Sequence, residues 1–348
     1  MSFVNALIFG FALIAIRLDY LSAQENWPQF RGPDGQGHST AKNLPLNFDD
    51  KTNVTWKTPI PGRGLSSPVI WGNQIWLTTA LEEGHSLHAI CLDKTSGSVV
   101  HDIEVFTNKE TIKVNIKNSH ASPSPVIEEG RVYVHFGTYG SACLDTQTGQ
   151  KIWENRDLKL DHQEGPGSSP VIFENLFIVN CDGRDVRYVV ALNKNDGQIV
   201  WKKERPGKPN PTGDVNKSFC TPTLIQMDGQ WQMIDPGAKY VVTYDPQDGK
   251  ELWTANISGQ ESIPVLGRSP SDHRIGMTFI CTGYMAGVVG DSSGGDGGRH
   301  RFARRMESED CHSRESFAHS CRGRSVRRER WESCPAQGQD GEMVGAIG

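Results

Sequence analysis

Apolar residues along this chain come in short runs that alternate with polar ones or last only a few positions, broken by Gly, Asn, Asp and Pro. Runs such as RVYVHF from Arg131 and LFIVN from Leu176 have the period of a β-strand. Between residues 24 and 284 no stretch of useful length keeps the spacing of an amphipathic helix, which excludes helical repeats. The runs are also ordered. Each unit starts with a Ser/Thr-Pro step into apolar residues: SSPVI from Ser66, SPSPVI from Ser122, SSPVI from Ser168 and CTPTLI from Cys220. A turn follows (WGN, EEG, FEN, MDG), then an alternating strand, then a second turn that leads to an aromatic residue.

That second turn repeats four times, as LDKTSGSVVH from Leu92, LDTQTGQKIW from Leu144, LNKNDGQIVW from Leu192 and YDPQDGKELW from Tyr244. Its glycines, Gly97, Gly149, Gly197 and Gly249, are separated by 52, 48 and 52 residues. The side chains of Asp93, Asp145, Asn193 and Asp245 are expected to accept hydrogen bonds from turn amides, while each Gly takes the positive φ that other residues resist. Trp153, Trp201 and Trp253 then fall on the following strand. Each is expected to lay its ring on the neighbouring unit and to point its indole N–H at a backbone acceptor. His101 holds that place in the first unit, so a weaker contact is expected there. Repeats of about 40 to 50 residues with roughly four strands each predict an all-β protein with the β-propeller fold.

The LD-x-x-TG-x-x-x-W pattern, fullest in residues 144–153, resembles the pyrroloquinoline-quinone (PQQ) repeat. WPQFRGPDGQG from Trp27, SHASPSPVIEEGRVYVHFGTYGSACLD from Ser119 and DHQEGPGSSPVIFENLFIVNCDG from Asp161 resemble more closely a group of exported PQQ-like propellers of planctomycete bacteria. The resemblance covers residues 25–284 and implies an eight-bladed ring. Four units and a fragment from Ile263 are visible here, four to five blades, so a truncated ring is expected, with the strand around Trp56 as a closing strand. The same repeat serves quinoprotein dehydrogenases and a non-enzymatic outer-membrane assembly lipoprotein, so it specifies fold more than activity. The dehydrogenase branch implies PQQ, a calcium ion held by carboxylate and amide oxygens, an Asp base and often a disulfide between adjacent cysteines. No two of the eight cysteines here are adjacent. The reading is therefore an exported binding or assembly scaffold with a protein partner and no cofactor. The alternative is a PQQ-dependent oxidoreductase of alcohols or sugars that carries PQQ and calcium.

Composition narrows the choice. The chain has 348 residues and a formal net charge of −5, which recommends neither nucleic acid nor an anionic membrane as partner. One continuous apolar run, residues 3–16, is too short to span a bilayer and reads as the core of an export signal over residues 1–23, which predicts a periplasmic or extracellular protein. Residues 24–284 are assigned to the blades. Beyond them the composition changes: residues 285–348 hold ten of the twenty Arg and no Lys, with abundant Gly and Ser. This segment is expected to lack a packed core and to be an out-of-frame continuation of a longer blade array, which the nucleotide sequence downstream of Tyr284 would test. Cys91, Cys143, Cys181 and Cys220 sit on strands and are expected to be packed thiols.

No HExxH, GxSxG, P-loop or kinase signature is present, so hydrolase and kinase readings are not supported. The polar residues at the start of each unit are the candidate site: Arg63 and Ser66, Ser119 and His120, Asp161, His162 and Ser168, and Asp182 with Arg184. Loops at one end of a propeller channel would bring them to a shared pocket. The alternative is local. Ser before Pro fixes an extended backbone, and a His can hydrogen-bond its own loop.

Overall fold

The computed structural model describes residues 26–49, 51–227 and 229–256, together with strand backbone at 264–267, 277–282, 288–292, 302–303 and 342–345. The export signal expected over residues 1–23 and most of residues 285–348 lie outside the described residues. A short strand, β1 (Trp56–Pro59), precedes four successive four-stranded antiparallel sheets. The first blade is β2 (Val69–Trp71), β3 (Gln74–Leu81), β4 (Ser86–Asp93) and β5 (Val99–Thr107). The second is β6 (Val126–Glu128), β7 (Arg131–His135), β8 (Ser141–Asp145) and β9 (Lys151–Asn155). The third is β10 (Val171–Phe173), β11 (Leu176–Asp182), β12 (Arg187–Asn193) and β13 (Ile199–Glu204), and the fourth β14 (Thr223–Met227), β15 (Gln230–Pro236), β16 (Tyr240–Tyr244) and β17 (Glu251–Asn256). The backbone of a fifth sheet follows as β18 (Pro264–Gly267), β19 (Met277–Thr282), β20 (Val288–Ser292) and β21 (Phe302–Ala303), and β22 (Glu342–Gly345) pairs with β1. Each four-stranded sheet is a simple meander, strands paired in chain order, and only short 3-10 turns interrupt the strands of the described residues.

Strand alternation explains where the core sits. Both faces of each of the first three blades are apolar, and each packs on a different neighbour. In the third blade, Phe177, Val179, Val190 and Leu192 join Tyr133, Cys143 and Trp153 of the second blade, while Ile178, Val189 and Ala191 join Met233, Val242 and Tyr244 of the fourth. The core therefore lies between blades, and no blade buries its surface alone. Cys91, Cys143, Cys181 and Cys220 are free and buried in these layers, and burial pushes each thiol up to about 12.

The second turn of each unit fixes the spacing between blades. Asp145 Oδ1 accepts from the amides of Gln147 (2.9 Å) and Thr148 (2.7 Å), and the Gly149 amide donates to the Asp145 carbonyl at 2.9 Å. Asp93 makes the equivalent bonds to Thr95 and Ser96. Amide donation, chiefly from Ser96 and Thr148, holds the Asp93 and Asp145 carboxyls below the usual carboxylate range. The turn glycines have φ between +67° and +73°, and the preceding outer strand lies against them. A Cβ on Gly197 would meet the Trp153 ring at 2.6 Å, one on Gly249 the Trp201 ring at 2.8 Å, and one on Gly97 would run into the Trp56 ring. The indole N–H groups of Trp153, Trp201 and Trp56 then donate to the carbonyls of Lys194 (2.7 Å), Pro246 (3.2 Å) and Lys94 (3.0 Å). At Gly149 the ring is the smaller His101, whose Nε2 finds no hydrogen-bond partner. Trp253 bonds within its own blade, to Gln232 at 3.4 Å.

A second set of bonds joins the inner ends of the blades. In the first three blades the residue before the inner-strand proline donates its amide to the hydroxyl at the same place in the next blade: Ser67 to Ser124 (2.8 Å), Ser124 to Ser169 (2.9 Å) and Ser169 to Thr221 (3.0 Å). This relay brings β2, β6, β10 and β14 together as the inner strands.

Candidate functional site

The segment WPQFRGPDGQG has no strand pattern, and the structure lays it across the inner strands. Trp27 and Ile70 of β2 exchange backbone bonds at 2.9 and 2.8 Å, and the Ile127 amide of β6 donates to the Pro28 carbonyl at 2.8 Å. The chain then turns back. Gly32, at φ +77°, donates to the Gln29 carbonyl at 2.9 Å, and a Cβ there would meet the Trp27 ring at 2.8 Å, so only glycine leaves room for it. The arm is thereby pinned on the first two blades, and its loop, residues 29–36, stands over the inner strands of the third and fourth.

Between that loop and β10 and β14 lies an open cleft of about 810 Å³. Its walls are the aromatic rings of Phe30, Phe173, Phe219 and Trp231, with Arg31 and Asp34 on the arm side. Phe173 and Trp231 meet edge to face at 5.8 Å, and Trp231 remains 45% exposed. The volume falls within the range of about 300–1,000 Å³ typical of ligand pockets.

None of the nine candidate residues lines this cleft. Ser66 Oγ accepts from the Thr78 amide at 3.0 Å, and Ser168 Oγ donates to the Cys220 carbonyl at 2.7 Å. Ser119 caps its own loop through the Ala121 amide at 3.1 Å. Arg63 pairs its backbone with Ala80 and its guanidinium with the Ile116 carbonyl. His120 and His162 occupy equivalent places, each seated on a glycine turn of the preceding blade. The His120 ring covers Gly84, and its Nε2 lies 2.9 Å from the Ile112 carbonyl; the His162 ring covers Gly137, and its Nε2 accepts from the Thr138 amide at 3.0 Å. Burial pushes His162 down to about 4 and its neighbour His135 to about 3. The two histidines are thus set in separate seams and form no shared pocket. Asp161 and Arg184 pair at 3.6 Å near the surface.

Asp182 leads to a cluster that sequence reasoning missed. It is buried with Arg205 and Asp235: Arg205 Nε lies 3.1 Å from both Asp182 oxygens, its Nη2 3.0 Å from Asp182 Oδ2, and its Nη1 2.7 Å from Asp235 Oδ2. Asn180 donates to Asp235 Oδ1 at 3.2 Å. Burial raises Asp182 to about 6 against the pull of Arg205, while the two carboxylates hold Arg205 well above its ordinary value. One guanidinium therefore ties the third blade to the fourth. The sequence carries a faint signal in NCDG and MIDPG, an acid at the end of the second strand in successive units, but nothing local marks Arg205 as the partner.

Ser86, His88 and Asp102 show a Ser–His–carboxylate order, with Ser86 Oγ 2.7 Å from His88 Nε2 and His88 Nδ1 2.6 Å from Asp102 Oδ1. Ser86 donates its hydroxyl proton to Glu104 instead of the imidazole, which is the wrong direction for a nucleophile. The four side chains form a cross-strand polar ladder on β4 and β5. No group of three or more His, Cys, Asp or Glu side chains able to hold a metal is found among the described residues. Arg205 already fills the place between Asp182 and Asp235 where a cation would balance them.

A family model described as outer membrane protein assembly factor BamB matches residues 46–159 and 107–276. The outer membrane protein assembly factor BamB of Xanthomonas campestris pv. campestris is 29% identical over 89 residues, 24% of this chain and 21% of that protein. Tetrathionate hydrolase of Acidithiobacillus ferrooxidans is 20% identical over 236 residues, 63% of this chain and 46% of that one. The solved quinohemoprotein alcohol dehydrogenase from Comamonas testosteroni has a TM-score of 0.58 at 14% identity, over 81% of this chain and 49% of that chain, a likeness of fold. This chain thus spans less than half the length of these curated relatives.

Proposed function

This chain belongs to the family described as outer membrane protein assembly factor BamB, and from that premise we propose that it is an exported propeller that binds a protein partner, a binding or assembly scaffold. Its motifs at Trp27, Ser119 and Asp161 favour the exported planctomycete-type group within the fold. One observation carries the reading: most of the polar side chains that could do chemistry are committed to the frame, while the cleft beside the inner strands is walled by four aromatic rings, with Arg31 and Asp34 on the arm side. Ser66 and Ser168 bond strand ends, His120 and His162 seal seams between blades, and Asp182 is neutralised by Arg205. An aromatic surface of this kind suits binding.

Calorimetry with PQQ and calcium, paired with a dye-linked dehydrogenase assay on alcohols and sugars, tests the reading. The expected result is no saturable PQQ binding and no turnover. Turnover dependent on PQQ would establish the oxidoreductase alternative. Fractionation of the source cells is expected to place the protein outside the cytoplasm.

A further inference from the structure

In a two-residue hairpin the closing pair exchanges hydrogen bonds and the next pair does not, so the second residue from the turn aims its N–H and C=O away from its partner strand. By register these residues are Ile70, Ile127 and Ile172 in β2, β6 and β10, and Leu224 and Gln226 hold the alternate, outward places in β14. At Ile70 and Ile127 the arm takes the outward groups, through Trp27 and Pro28. Two successive arm residues thereby bridge two successive blades. At Ile172, Leu224 and Gln226 no described backbone group does so, and all three line the cleft. The inner strand of the third blade repeats that of the first residue for residue, SSPVI in both.

We propose that the cleft binds an extended polypeptide segment of a partner protein, which bridges the inner edges of β10 and β14 as the arm bridges β2 and β6. The ligand's backbone would exchange two bonds with Ile172 and accept one from the Leu224 amide. An apolar or aromatic side chain would enter the space between Phe30, Phe173, Phe219 and Trp231. Continuity with the arm names the occupant: the same inner edge, over two more blades, presents the same unpaired groups, and backbone pairing of this kind is how sheet edges take up peptides. After the turn at Gly32 the arm's loop stands over these blades without a backbone bond to Ile172, Leu224 or Gln226, which leaves the space between them open.

This inference rests on the scaffold reading. The test uses the full chain and a capped peptide of the arm's own residues 26–30, Asn-Trp-Pro-Gln-Phe, added in trans and followed by calorimetry. A second peptide carries an N-methyl group on the Trp amide. Saturable one-to-one binding is expected, weakened at least tenfold by that methyl group. Ile172→Pro removes the outward N–H and spares the ladder to β11, while it also trims a side chain packed on the core of the second and third blades, and is expected to weaken binding similarly. Ile172→Val is expected to bind normally, and circular dichroism checks the fold of both variants. No binding at millimolar peptide, or equal affinity for the methylated peptide, overturns the inference. Either result would leave the scaffold reading standing, since only PQQ-dependent turnover removes that.

Discussion

Trp153 is nearly buried and closes three interactions at once: a ring face on Gly197, an indole bond to Lys194 and an edge-to-face contact with Phe177 at 6.0 Å. Trp153→Ala is expected to cost about 3–5 kcal/mol, read by urea denaturation. The complementary change, Gly197→Ala, places a Cβ both at positive φ and 2.6 Å from that ring. It should cost on the order of 2 kcal/mol or more, whereas Gly130→Ala, which also has positive φ but open space, should cost only the backbone part. His162 makes a pH prediction. Its folded value near 4 lies below the unfolded 6.5, so between those values the unfolded chain takes up a proton that the folded chain refuses. Its contribution is intact above pH 6.5 and is lost as pH falls toward 4, on the order of 3 kcal/mol in total. The difference in denaturation midpoint between pH 7 and pH 4.5 should shrink in His162→Gln, and an unchanged difference would refute the assignment.

The strands and their second turns were legible because the forces that make them are local. Alternation sets which residues face a neighbour, and Asp-x-x-x-Gly sets the turn from within five residues. The inner relay was only half legible. Ser before Pro reads as an extended backbone, but nothing in SSP says that its hydroxyl will accept from the previous blade. Ser169→Ala should leave the buried Ser124 amide without its acceptor and destabilise by about 1–3 kcal/mol, while Ser169→Thr should restore it. The arm was not legible as structure at all. WPQFRGPDGQG lacks any strand period, and its place is set by edges that exist only once β2 and β6 are formed.

For the molecule as a whole, stability is a property of seams. The Asp182–Arg205–Asp235 group holds the third seam, with the participants 23 and 30 residues from the arginine in sequence, too far apart for any motif to reveal. Arg205→Met should leave two carboxylates buried without a counter-charge and cost about 3–5 kcal/mol, and Asp182→Asn in the same chain should recover part of it. Deleting residues 26–37 should expose the inner edges of β2 and β6 together and favour association through them, visible as higher mass by light scattering.

The seams also have a direction. Each outer-strand ring docks forward, Trp56 on Gly97, Trp153 on Gly197 and Trp201 on Gly249, and the serine relay runs through the same succession of blades. From β1 to the fourth blade, a key on each leading side therefore meets a lock on the next blade's trailing side. Copying a stretch of gene from one inner-strand proline to the next inserts a module whose two new joints are already compatible, so lineages with this architecture can lengthen by duplication without redesigning an interface.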